Sequence, residues 1–173
     1  MSTPGSSSNW TERIREEFNR SSLAVRVLAI LSPTCPPCLY GKEVMKEIFD
    51  EFSTDKLRGF VVWIPMLTGD DAESAFFAGR DLQDPRVVQG WGSERLTGQL
   101  FDKALNLRRT AWDVYLLYAS GVVWEENQPP SPTFWMHQLA PDSGADLRFW
   151  LNRGKFLGEV FICLKAISRY DSA

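Results

Sequence analysis

Two cysteines separated by two prolines, Cys35-Pro36-Pro37-Cys38, are the residues of this chain best suited to chemistry. A thiolate is the nucleophile of disulfide exchange, and a second thiol one helical turn further on is close enough to close a disulfide. Reactivity then depends on where the pair sits. At a helix start the backbone N–H groups lack partners and carry partial positive charge, so the site favours an anion and lowers a thiol's pKa. With Cys35 at or just before the N-cap, its sulfur can accept from the Cys38 N–H. Cys35 is then expected to be the exposed attacking thiol and Cys38 the shielded resolving one. Pro36 and Pro37 suit the first turn, where a missing N–H costs least. They also withhold two donors from the thiolate and stiffen the loop.

The elements on either side support that position. Val25 to Leu31 is an apolar run with only Arg26 charged, which reads as a buried strand. Leu39 to Phe52 places Met45, Ile48, Phe49 and Phe52 at i, i+3, i+4 and i+7 among Lys and Glu, a helix with one apolar face. Phe60 to Leu67 is a second buried run, with Pro65 at its end. Strand, helix and strand make a right-handed βαβ unit with parallel strands. In open α/β sheets, sites form beyond the carboxyl ends of the strands, which again selects the cysteines.

The stretch Ala29-Ile30-Leu31-Ser32-Pro33-Thr34-Cys35-Pro36-Pro37-Cys38, with its strand and helix, resembles the thioredoxin superfamily over roughly 30 residues. The resemblance implies an α/β fold: a central sheet of four to five strands flanked by helices, here with an enlarged second crossover. It implies a thiol–disulfide oxidoreductase in which Cys35 attacks, a mixed disulfide forms, and Cys38 resolves it, with Thr34, Pro36 and Pro37 as the active-site loop. No cofactor and no metal are implied. The partners would be a disulfide-containing protein and a thiol electron donor or acceptor. Two residues depart from the pattern. Thr34 stands where thioredoxin has Trp, and Ala29 stands where it has a buried Asp that assists the resolving cysteine. Reduction of insulin disulfides is therefore expected to be slow and to rise steeply with pH, unless another carboxylate serves. The alternative function is a binding protein for a thiophilic ion such as Cu, Hg or Zn. That would need a third ligand, and only Cys163 or His137 offers one. A thiol peroxidase would want a lone peroxidatic cysteine, which the pair argues against.

Composition narrows the rest. A chain of 173 residues, 44% hydrophobic with seven Trp, is long enough for one well-buried domain. The expected organisation is a disordered tail at 1–8 and one domain at 9–173, with an insertion about 68–92. With a net charge of −3, nothing suggests a nucleic-acid surface. No run is suited to crossing a membrane, and Met1 to Ser8 lacks the features of a signal peptide. The reading is a monomer, cytoplasmic as the chain stands and exported if a leader has been removed.

Further along, Asn9 with Glu12 suggests a capped helix at 9–20 with a Trp10, Ile14, Phe18 stripe. Ser53 to Gly59 reads as a turn. Asp70 with Glu73 suggests a second capping box and a helix through Arg80. Trp91-Gly92 reads as a turn, and Ser93 as the cap of a helix carrying Leu96, Leu100 and Phe101. Asp113 to Tyr118 is a strand, expected to form a hairpin with Val122 to Glu125 across Ala119-Ser120-Gly121. Phe156, Val160, Phe161, Leu164 and Ile167 share the apolar face of a last helix.

The resemblance also implies a cis-proline opposite the dithiol. In the preferred register, Asp113 to Tyr118 is the strand after it and Ala111-Trp112 holds its place without a proline, leaving Trp112 and Asp113 in the substrate groove. In the other, Ser131-Pro132-Thr133 is the segment, Pro132 lines the groove, Phe134 to Leu139 is the strand, Leu147 to Leu151 its partner, and Asn152 caps the last helix. His137 reads as a packed core residue, Cys163 as a buried structural thiol, and the tryptophans as core.

Overall fold

The computed structural model describes residues 10–126 and 128–170. The expected tail at 1–8 and the Asn9 cap lie outside the described residues. The elements run α1 (Trp10–Arg20), β1 (Val25–Leu31), α2 (Pro36–Glu51), β2 (Leu57–Trp63), α3 (Ala72–Gly79), β3 (Val87–Trp91), α4 (Leu96–Ala104), β4 (Val114–Tyr118), β5 (Phe134–His137) and α5 (Arg153–Tyr170). One five-stranded sheet has the order β3-β2-β1-β4-β5. β1, β2 and β3 are parallel, β4 runs antiparallel to β1, and β5 antiparallel to β4.

Alternation along β1 divides the core into two layers, because successive strand residues point to opposite faces. Val25, Val27, Ala29 and Leu31 face α2, α3 and α5 through Met45, Ile48, Phe49, Ala75, Phe156 and Val160. Leu28 and Ile30 face α1 and α4 through Ile14, Phe18 and Phe101. Arg26 lies on that second face, fully buried, with its guanidinium on the Phe18 ring and donating to the carbonyls of Phe18, Ala119 and Val122. Arg86 closes the far end of α2, donating to the carbonyls of Phe49, Phe52 and Thr54 while Asp84 holds it in place.

Several sequence expectations need correction. Val122 to Glu125 forms no strand with β4; the partner is β5. The backbone groups a ladder would need are already engaged: Val122 O accepts from Arg26, and Trp124 exchanges both its backbone groups with the Asn19 side chain. Trp124 is buried against Phe18 and Phe101. Residues 87–91, just before the Gly92 turn, form the edge strand β3, which includes Trp91. The capping box at α3 is Asp71 with Ser74, one residue later than expected. No side chain caps α4. Leu147–Phe149 is a 3-10 turn rather than a strand. Asn152 does cap α5, its Oδ1 accepting from Lys155 N at 2.9 Å. On α5 the inward stripe passes through Cys163, while Phe161 is 49% exposed.

Candidate functional site

β1 is the central strand, and the chain leaves its carboxyl end at Leu31 to reach α2 within a few residues. Cys35 is the N-cap of α2, with extended φ −87° and ψ 116°, and prolines fill the first two helical positions. The Cys38 N–H donates to Cys35 Sγ at 3.4 Å. Ser32 N–H donates to Cys38 Sγ, also at 3.4 Å. The expectation of an exposed Cys35 needs correction: it is only 4% exposed, against 0% for Cys38. It remains the more accessible of the two, because Cys38 faces inward from the first turn while Cys35 stands at the helix end beside exposed Thr34, Pro36 and Pro37.

The loop before the motif is held by Asp70, whose role the capping-box pattern disguised. Asp70 accepts five hydrogen bonds: from Ser32 Oγ, Thr34 N and Thr34 Oγ1, and from Met66 N and Leu67 N, at 2.6 to 3.1 Å. Partial burial alone would raise its carboxyl. The donors from Thr34, Leu67, Ser32 and Met66 outweigh that and hold it below the ordinary value.

On the other side stands Asp113, immediately before β4 and 2% exposed. Its backbone is in the left-handed region, φ 55°, which Asp tolerates better than most residues. Asp113 N donates to Ile30 O at 2.7 Å and Asp113 O accepts from Gln138 N at 3.0 Å, so both neighbouring strands fix it. Its Oδ1 accepts from Tyr115 Oη at 2.6 Å and from Gln138 Nε2 at 2.9 Å. Gln138 Nε2 also donates to Pro37 O at 2.7 Å, tying the motif to the acid. Tyr115 lies directly across the ladder from Ala29. Its hydroxyl fits over Gly41 of α2, where an added Cβ would stand 1.7 Å from Tyr115 Oη. The two sulfurs and an Asp113 carboxylate oxygen all lie within 4.8 Å of one another.

Burial sets the protonation of this cluster. It pushes the Cys38 thiol far above the usual thiol range, helped by Cys35 and Asp113. It raises the Asp113 carboxyl, with Tyr115 and Gln138 opposing, and it raises Tyr115. Cys35 moves the other way. Its hydrogen bond with the Cys38 thiol lowers it most, burial opposes, the Cys38 N–H lowers it further, and Asp113 and Asp70 push it back up.

The structure thus brings Thr34, Cys35, Pro36, Pro37, Cys38 and Asp113 together. Trp112 is half-buried, packed against both cores. No cis peptide bond occurs among the described residues. The Ala111 N–H donates to Gly98 O at 3.1 Å, a bond that a proline there would forfeit. Pro132 is not in the cluster: the next residue, Thr133, bonds Leu117 O at the opposite end of β4. Neither proposed third metal ligand belongs to the cluster either. His137 is fully buried, with Nε2 on Asp146 O and Nδ1 accepting from Leu139 N. Cys163 is buried on α5, its thiol raised by that burial. The expectation of a soft-ion site therefore finds no support.

No family model and no curated protein matches the sequence. Solved structures match the fold. The solution structure of a putative thioredoxin from Neisseria meningitidis aligns over 84% of this chain and 77% of that one, with a TM-score of 0.57 and 12% identity. The solution structure of a thioredoxin-like protein in the oxidized form aligns over 90% of this chain and 84% of that one, with a TM-score of 0.51 and 14% identity. The structure of MTB dsbF in its mixed oxidized and reduced forms aligns over 84% of each chain, with a TM-score of 0.50 and 12% identity. The chain has the thioredoxin-like α/β fold.

Proposed function

We propose that this protein is a thiol–disulfide oxidoreductase working through Cys35 and Cys38. The observation that carries this reading is the dithiol at the start of α2, where the Cys38 N–H and the helix end stabilise a Cys35 thiolate while Cys38 stays buried and protonated. Cys35 attacks a substrate disulfide and expels one thiolate, forming a mixed disulfide. Cys38 then attacks Cys35 Sγ, closes the intramolecular disulfide and releases the second thiolate. The reverse sequence oxidises a dithiol. The likeness in fold to structures described as a putative thioredoxin and a thioredoxin-like protein in the oxidized form supports the same reading. Thr34, Pro36 and Pro37 shape the loop, and a disulfide-containing protein is the partner.

The test is trapping. In the reduced protein, iodoacetamide is expected to label Cys35 faster than Cys38 or Cys163. Cys35→Ser should abolish reduction of a protein disulfide, and Cys38→Ser should accumulate a mixed disulfide on Cys35. A mixed disulfide found on Cys38 instead, or none at all, overturns the assignment.

A further inference from the structure

Resolution requires Cys38 to lose a proton in a place that resists losing one. Cys38 is 0% exposed, so bulk solvent has no direct access to its thiol. Ala29, the position where the thioredoxin pattern puts an acid, offers no acceptor. Asp113 does: its carboxylate lies within 4.8 Å of both sulfurs, and it reaches them from β4 rather than from β1. The arrangement around it is built. Tyr115 and Gln138 donate to one carboxylate oxygen, Gln138 is anchored on Pro37 O, and the helix leaves out a side chain at Gly41 so that the Tyr115 hydroxyl fits.

Building on the Cys35–Cys38 exchange proposed above, we propose that Asp113 accepts the proton of Cys38 during resolution and returns it in the reverse reaction, with Tyr115 and Gln138 as positioning residues. The step balances. The Cys38 S–H proton passes to Asp113 and the Cys38 sulfur attacks Cys35 Sγ of the mixed disulfide. The Cys35–Cys38 bond forms, the bond from Cys35 to the substrate sulfur breaks, and the substrate leaves as a thiolate. The charged and titratable groups beside Asp113 are Cys35 and Cys38 at the start of α2 and Tyr115 of β4; His137 of β5 pairs with Val114, on the opposite face of the sheet. In the mixed disulfide Cys35 carries no charge, which removes one anion from beside the carboxylate. Burial raises the Asp113 carboxyl and brings its proton affinity nearer that of the thiol, as general-base catalysis requires.

The test isolates resolution in a Cys163→Ser background. Reaction with Ellman's reagent places an aromatic thiol on Cys35, and its release by Cys38 is followed by stopped flow. In the Asp113-containing protein the rate is expected to rise through the carboxyl's titration and then level off. In Asp113→Asn the rate at neutral pH should fall about 100-fold and climb with hydroxide without levelling. Alkylation of Cys35 should stay the same or quicken, because the nearby negative charge is gone. Equal rates and the same profile in both proteins overturn the proposal. So do equal losses in alkylation and resolution, which mark a merely structural residue. If Asp113 is intact and Cys38 never releases the adduct, the two-cysteine reading itself has failed. Should Asp113→Asn not fold, the folded protein with Cys35 alkylated carries the test: the Asp113 carboxyl carbon resonance and Cys38 thiolate absorbance should titrate as a coupled pair. Cys38→Ala should shift the Asp113 titration, and an unmoved Asp113 overturns the proposal.

Discussion

Asp70, on the loop after β2, and Asp113, on the approach to β4, both lie beside the dithiol, and their surroundings drive them apart. Asp70 is half-exposed and accepts five hydrogen bonds, which hold its carboxyl below the ordinary value against the effect of its burial. Asp113 is 2% exposed and its side chain accepts from Tyr115 and Gln138, so burial wins and the carboxyl is raised. The difference teaches that proximity to a cysteine does not define a carboxylate's role. The balance of donors against burial does. A carboxylate saturated with donors anchors a loop, whereas one left hungry in a dry site can take a proton.

Beyond the Asp113→Asn kinetics, the contrast is most exposed at Asp70. Asp70→Ala strips the acceptor from five donors and is expected to destabilise the fold by about 3 kcal/mol, measured by urea unfolding. The pH profile of resolution should not change; if it acquires the hydroxide-dependent climb, Asp70 shares the base role and the division fails. Gly41→Ala comes next. Its methyl would overlap Tyr115 Oη, so despite a better helix former the fold should lose about 2 kcal/mol and Asp113 should lose its tyrosine donor. A variant as stable as its parent would show that the hydroxyl is free to move.

Stability against pH separates the two acids by sign. Asp70, depressed in the fold, contributes stability that is present above its unfolded value and lost as pH falls through its folded one. Asp113, raised in the fold, does the opposite: the folded state binds more protons, so stability falls as pH climbs from the ordinary carboxylate value through the raised one. The stability of Asp113→Asn relative to its parent should therefore grow with pH over that window. A constant difference would mean that burial is not felt. The last change concerns the thiolate that both acids push upward. Pro36→Gly restores a possible donor near Cys35, and a hydrogen bond to a charged group contributes about 1.5–3 kcal/mol. The Cys35 pKa should fall, read by thiolate absorbance in a Cys38→Ser, Cys163→Ser background. A value that stays or rises shows that the missing donors do not set reactivity.

The parts of this molecule legible in sequence are those decided locally. β1 and α2 announce themselves because an apolar run and 3.6-residue periodicity coincide with burial, and the cysteine spacing carries its own geometry; β2 is shifted, running Leu57–Trp63 and so starting inside the stretch that reads as a turn. β3 was hidden because Val87-Val88-Gln89-Gly90-Trp91 is short and contains a glycine, needed where the Trp10 ring lies against the strand. The false hairpin at Val122 to Glu125 shows the converse: strand-like residues whose backbone groups are claimed by Arg26 and Asn19. Asp70 was masked by sitting one residue before the true cap. Tyr115 and Gln138 join the site only through ladder register, which no single segment encodes. A signal did exist: Gly41 is an unfavourable residue inside a strong helix, and such a glycine marks a close approach from outside.

Arg86 at one end of α2 and the Asp70 cradle at the other leave the helix little freedom to slide. To bond, the sulfurs must approach to about 2.05 Å, and the remaining motion is rotation about the cysteine side-chain torsions. Closing the ring is therefore expected to need almost no reorganisation of the backbone. The oxidised and reduced proteins would present nearly the same surface, so a partner would tell them apart by the sulfur chemistry and not by shape.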